Sequence, residues 1–84
     1  MRIAIDYDAY AADAELWDAY IEQAKAKGHE VICIAQRTPN ERVAVTESPG
    51  MLIHYIDGQR KLRYCKREGI QVDVWIETNP MNLL

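Results

Sequence analysis

The stretch Arg2-Ile3-Ala4-Ile5-Asp6-Tyr7-Asp8 limits the possible folds more than any other, because an apolar run breaks off abruptly into two carboxylates one residue apart. A continuous Ile and Ala run of this length reads as a buried parallel strand rather than one with a solvated face. Carboxylates resist burial in such a core, so they belong where the strand emerges at its C-terminal edge, the place where open α/β sheets set their ligand crevice. A turn between Asp6 and Asp8 would let both approach one cation. The plainer alternative is that Asp8 starts a turn or helix and Asp6 is a solvated strand end.

The rest of the chain repeats the pattern of short apolar runs separated by amphipathic segments. Ala9 to Ala12 reads as a small-residue loop and Asp13 as a helix N-cap, with Glu15 in the first turn. The helix that follows is expected to run to about Lys27, with Leu16, Trp17, Tyr20, Ile21 and Ala24 on its apolar face and Gly28 as its stop. Val31 to Ala35 is a second buried strand, and strand, helix, strand predicts a right-handed parallel crossover. Gln36 to Pro49 is polar and carries two X-Pro steps, so it reads as a surface loop. Met51 to Ile56 is a third strand, Asp57-Gly58 a turn, and Gln59 to Glu68 a second helix ending at Gly69, with Leu62 and Cys65 toward the sheet. Ile70 to Ile76 is the last strand, and it too ends in polar residues, Glu77, Thr78 and Asn79.

These elements predict an α/β fold, a minimal Rossmann-like open parallel sheet of order 3-2-1-4 with helices on both faces, forming a single domain over residues 1–84. The expected core is Ile3, Ile5, Leu16, Ile21, Val31, Ile32, Ile34, Ile53, Leu62, Val74 and Ile76. In that strand order the first and last strands are neighbours, so Asp6, Asp8 and Glu77 meet at one crevice. Ala35 and the residues after it border the other side.

Composition narrows the function classes. The formal net charge of −3 argues against general nucleic-acid affinity, although the second helix holds five of the ten Lys and Arg residues: Arg60, Lys61, Arg63, Lys66 and Arg67. Those charges read mainly as helix solvation, with nucleic-acid binding as a weaker option. No apolar run reaches the roughly 18 to 20 residues of a membrane helix. Cys33 and Cys65 lack a CxxC spacing and read as reduced core residues, which makes a cytoplasmic location the expectation.

The segments Ile3-Ala4-Ile5-Asp6-Tyr7-Asp8, Glu15-Leu16-Trp17, Gly28-His29-Glu30-Val31-Ile32-Cys33, Lys61 ahead of Gly69-Ile70, and Val74-Trp75-Ile76-Glu77 stand in an order that resembles the haloacid dehalogenase (HAD) superfamily. The likeness is to its small capless phage and bacterial HAD-like hydrolases; for a phage protein the compartment would be the host cytoplasm. The resemblance implies Asp6 as a nucleophile that forms an aspartyl-phosphate, Asp8 as general acid and base, and Lys61 as the cation that neutralises nucleophile and phosphate. It implies magnesium held by Asp6, Asp8 and Glu77. Tyr10, Ala35, Gln36, Arg37 and Thr78 fall where ligand-binding residues are then expected. A carboxylate attacks phosphorus only when cations shield its charge from the phosphate, which gives these residue types their chemical sense.

The chain departs from the family pattern at three places. Ala9-Tyr10-Ala11-Ala12 replaces a Gly-Thr-like pair, Ala35 replaces a phosphate-binding hydroxyl, and Thr78 replaces a second acid. Two functions are therefore expected: a magnesium-dependent phosphohydrolase acting on a small phosphorylated compound or a nucleotide or nucleic-acid phosphate, or a catalytically degenerate relative. The latter would bind or sequester a nucleotide-like ligand or a protein partner, as a phage inhibitor would. So small a sheet also leaves apolar groups uncovered, and Met51, Leu52, Val43, Val45, Met81, Leu83 and Leu84 suggest a homodimer surface.

Overall fold

The computed structural model describes residues 1–36 and 51–84. Four strands form one parallel sheet, β1 (Arg2–Asp6), β2 (Glu30–Ala35), β3 (Ile53–Tyr55) and β4 (Val74–Ile76), in the order β3-β2-β1-β4. Among the described residues three helices lie between the strands: α1 (Tyr7–Ala12), α2 (Ala14–Ala26) and α3 (Lys61–Glu68). A short 3-10 turn, Pro80–Asn82, follows β4. The open parallel sheet of the sequence reading is present, in the strand order expected. No helix among the described residues is long and apolar enough to cross a membrane.

Successive strand residues point to opposite faces, and that alternation divides the core in two. Ile3 and Ile5 of β1 and Val31, Cys33 and Ala35 of β2 pack under α1 and α2 with Tyr7, Ala9, Tyr10, Ile21 and Ala24. Ala4, Ile32 and Ile34 face the other way, toward Ile56 and the α3 residue Cys65. Both central strands are apolar on each side because helices cover each side, as parallel sheets require.

The segment Ala9 to Ala12, read as a loop, is helical. Asp6 caps α1 by accepting the Ala9 amide at 3.1 Å, so the chain enters a helix directly from the strand end. Asp13 then serves as C-cap of α1 and N-cap of α2, its carboxylate accepting the Leu16 amide at 3.1 Å. This extra helix changes the core. It packs on β1 and β2 where α2 alone was expected, so α2 buries only Ile21 and Ala24, half-buries Trp17, and leaves Leu16 56% exposed and Tyr20 38% exposed.

Two more expected core residues are exposed. Lys61 and Cys65, at i and i+4, are the α3 residues turned to the sheet, and this rotation carries Leu62 outward to 44% exposure. Val74 opens the edge strand β4 and is 37% exposed, while Ile53 and Ile76 are half-buried. The helix ends as its sequence implies: Gly69 at φ 70 takes the left-handed conformation, and the Ile70 amide reaches back to the Cys65 carbonyl at 2.8 Å. The expected loop between Gln36 and Pro49, apart from Gln36 itself, lies outside the described residues, as do Arg37, Val43 and Val45.

Candidate functional site: a buried lysine between two strand-end carboxylates

β1 and β4 are in register, Ala4 beside Trp75 and Ile5 beside Ile76. One residue further, Asp6 and Glu77 follow at the C-terminal ends of adjacent strands. Asp6 shares the parity of Ala4 and Glu77 that of Trp75, and both of those pack on the α3 side of the sheet. The two carboxylates thus emerge on the face where α3 begins. Asp57 at φ 52 and Gly58 at φ 78 reverse the chain after the buried Ile56, and Lys61 opens the helix.

Lys61 is fully buried, at 0% exposure, and its ammonium lies between the two carboxylates. It donates to Asp6 Oδ1 at 2.6 Å and to Glu77 Oε2 in an equally direct contact. The remaining oxygens are also engaged: Asp6 Oδ2 accepts the Ala9 amide at 3.1 Å and Glu77 Oε1 accepts the Asn79 amide at 3.2 Å. An ammonium taken out of water costs several kcal/mol, and only paired, well-bonded counter-charges offset it. Counted formally, two carboxylates against one ammonium leave the trio with one net negative charge.

Cys33 lies under this field. Burial pushes its thiol up to about 12; the negative charge of Asp6 adds to the rise, Lys61 opposes it, and Asp8 contributes in the same sense as Asp6. The thiol is therefore a neutral packing group of the core under α1 and α2, on the opposite face of the sheet from Lys61, rather than a nucleophile. It is 0% exposed and unpaired in any disulfide.

The other candidates are placed less centrally. Asp8 is exposed on the first turn of α1. Among the described residues no three His, Cys, Asp or Glu side chains are grouped closely enough to hold a metal ion, so Asp8 does not join Asp6 and Glu77 as a ligand set. In kind the donors still suit magnesium, which takes hard oxygen ligands, and the net negative charge favours a cation. Ala35 offers no polar group: its side chain is in the core and its carbonyl accepts the Ile56 amide at 3.0 Å. Tyr10 is 1% exposed, with its hydroxyl donating to Asp18 at 2.7 Å, which makes it a core residue in place of the ligand contact expected. Gln36 donates to the Gln59 carbonyl at 2.8 Å and to the Asn82 carbonyl at 3.4 Å. Thr78 is exposed beside Glu77.

Asn79 is a further residue of the site, one not expected from the sequence. Its backbone amide holds Glu77, and its side chain accepts the Met81 amide at 3.1 Å to start the 3-10 turn. The Asn79-Pro80 step is a turn-initiating signal that points to such a role. A cavity of about 220 Å³ beside Ile3, Tyr20, Lys27 and His29 lies toward the opposite end of β1 from Asp6. No protein-family model matches the chain, and no similar curated protein or solved structure was found.

Proposed function

We propose that the chain is a HAD-like phosphohydrolase that works through an aspartyl-phosphate on Asp6, with a small phosphorylated compound or a nucleotide or nucleic-acid phosphate as substrate. The observation that carries the reading is the buried Lys61 ammonium 2.6 Å from Asp6 Oδ1 at the C-terminal edge of the sheet. Asp6 would attack phosphorus while the ester P–O bond breaks, and Asp8 would protonate the departing oxygen. Asp8 would then take a proton from the water that cleaves the acyl phosphate and restores Asp6. Lys61 balances charge on Asp6 and on the incoming phosphoryl oxygens. Magnesium, which Asp6 and Glu77 would hold, would supply the further positive charge that a dianionic phosphate demands.

The test is phosphate release from a panel of phosphoesters with and without magnesium, beside an Asp6→Asn variant. Magnesium-dependent release by the parent and none by the variant is the expected result. Release from no substrate, or equal release by both proteins, would remove the hydrolase.

One observation favours a second reading, a catalytically degenerate binder of a nucleotide-like ligand or a protein partner. Every carboxylate oxygen of Asp6 and Glu77 already accepts an N–H, and Ala35 brings no hydroxyl to the site. Calorimetric titration with the ligand recovered intact would support it, whereas recovery of dephosphorylated product would return the argument to catalysis.

A further inference from the structure

The start of α3 lacks the usual side-chain cap. Arg60 occupies the N-cap position, offers no acceptor and makes no side-chain cap hydrogen bond. The carbonyl of Leu83 takes one of the first-turn amides instead, accepting from Leu62 N–H at 3.0 Å. Its two predecessors are used in the same way. The Met81 carbonyl accepts Arg60 Nη1 at 2.9 Å, and the Asn82 carbonyl accepts Gln36 Nε2 at 3.4 Å. Three consecutive carbonyls thus tie the end of β2, through Gln36, and the start of α3, through Arg60 and Leu62, to the turn that follows β4. Gln36 also holds the Gln59 carbonyl at 2.8 Å, one residue before Arg60. Asn79 joins the turn to the site, because its amide holds Glu77 and its side chain fixes Met81.

Lys61 lies between two residues bonded by this clasp, and Glu77 lies two residues from its first turn. A buried ammonium has no solvent to accommodate a displacement, so its distance to Asp6 is set by where α3 begins. We infer that Gln36, Arg60 and Asn79, acting through the carbonyls of residues 81–83, are positioning residues that hold Lys61 and Glu77 against Asp6. The catalytic consequence rests on the phosphohydrolase reading; the positioning does not.

The test uses the full chain and a spectroscopic signature of the ammonium itself. A buried, ion-paired lysine ammonium exchanges its protons slowly enough to give a 15N–1H cross-peak. The Lys61 signal is compared in the parent, Gln36→Glu (which removes the amide donor), Arg60→Ala and Arg60→Lys, with circular dichroism as the check on folding. Exchange at Lys61 should accelerate about tenfold or more in the first two variants and return toward the parent in Arg60→Lys, since a shift on the order of 1 Å is enough to disrupt a preset geometry. With p-nitrophenyl phosphate, kcat should fall by about the same factor with KM little changed. Parent-like exchange in both folded variants would overturn the inference. Should neither variant fold, hydrogen exchange at the Leu62 amide of the parent decides: protection equal to that of α3's interior supports the clasp, and loop-like exchange overturns it. Altered Lys61 exchange in a protein that releases no phosphate would keep the clasp and remove the phosphohydrolase.

Discussion

Lys61 is the residue on which both stability and the proposed chemistry converge. Lys61→Met leaves Asp6 and Glu77 buried side by side without a counter-charge, and breaking a buried pair in this way typically costs about 3–5 kcal/mol. A urea midpoint lowered to match, partly recovered in Lys61→Met combined with Glu77→Gln, is the expected result; a midpoint unchanged from the parent would show that the ammonium is not held in the core. Cys33 carries a pH dependence of definite sign. Its thiol has an ordinary value of 9.0 and is pushed up to about 12 in the fold, chiefly by burial. The unfolded chain therefore loses this proton first, so stability is fully present below pH 9.0 and falls as pH rises from there toward 12. Cys33→Ala should flatten this part of a stability profile measured against pH, at some cost in packing. A profile as steep as the parent's would assign the alkaline loss to other groups.

At the scale of elements, the helix that begins at Tyr7 is the feature that most reshapes the expected core. It is a helix of 6 residues, too short to persist alone, and it exists because Asp6 caps its start while Tyr7, Ala9 and Tyr10 bury against the sheet. Asp13 is shared between its end and the start of α2. Asp13→Ala removes the acceptor of the Leu16 amide, and loss of such a cap costs about 1 kcal/mol. Thermal unfolding should register it as a lower midpoint with the same amplitude. Asp13→Asn keeps an acceptor and should restore most of the loss; failure of that rescue would argue that the carboxylate acts through its charge and not as a cap.

For the whole molecule, the apolar residues that the core does not absorb set the expectation. Leu52, Met81 and Leu84 are 65%, 60% and 68% exposed, and β3 and β4 are the outer strands of the sheet among the described residues. Scattered exposed apolar residues are common on folded proteins, so the homodimer proposed from them is decided by measurement. Light scattering at micromolar concentration should give twice the 9.7 kDa mass of one chain, with Met81→Glu and Leu84→Glu shifting it to the single-chain value. A single-chain mass for the parent would make these side chains plain surface.

Periodicity in the sequence was enough to determine the sheet and that helices cover both its faces, though not that residues 7–12 form one of those helices. Apolar runs at Ile3, Val31, Ile53 and Val74 specify strands, and their separation by amphipathic segments specifies parallel connections with helices on two faces, because a strand buried on both sides has no polar alternation to offer. The strand-end position of Asp6 was legible for the same reason: a carboxylate closing an apolar run has only the edge of the sheet to go to. Which side chains meet there was decided by tertiary structure. The register of β1 with β4 sets Glu77 level with Asp6, and the rotation of α3 turns Lys61 inward and Leu62 outward, a choice that local hydrophobicity would reverse. That choice follows from electrostatics over distance: two buried carboxylates demand a cation, and the pull of residues 55 and 16 positions away along the chain leaves no trace in the local pattern around Lys61.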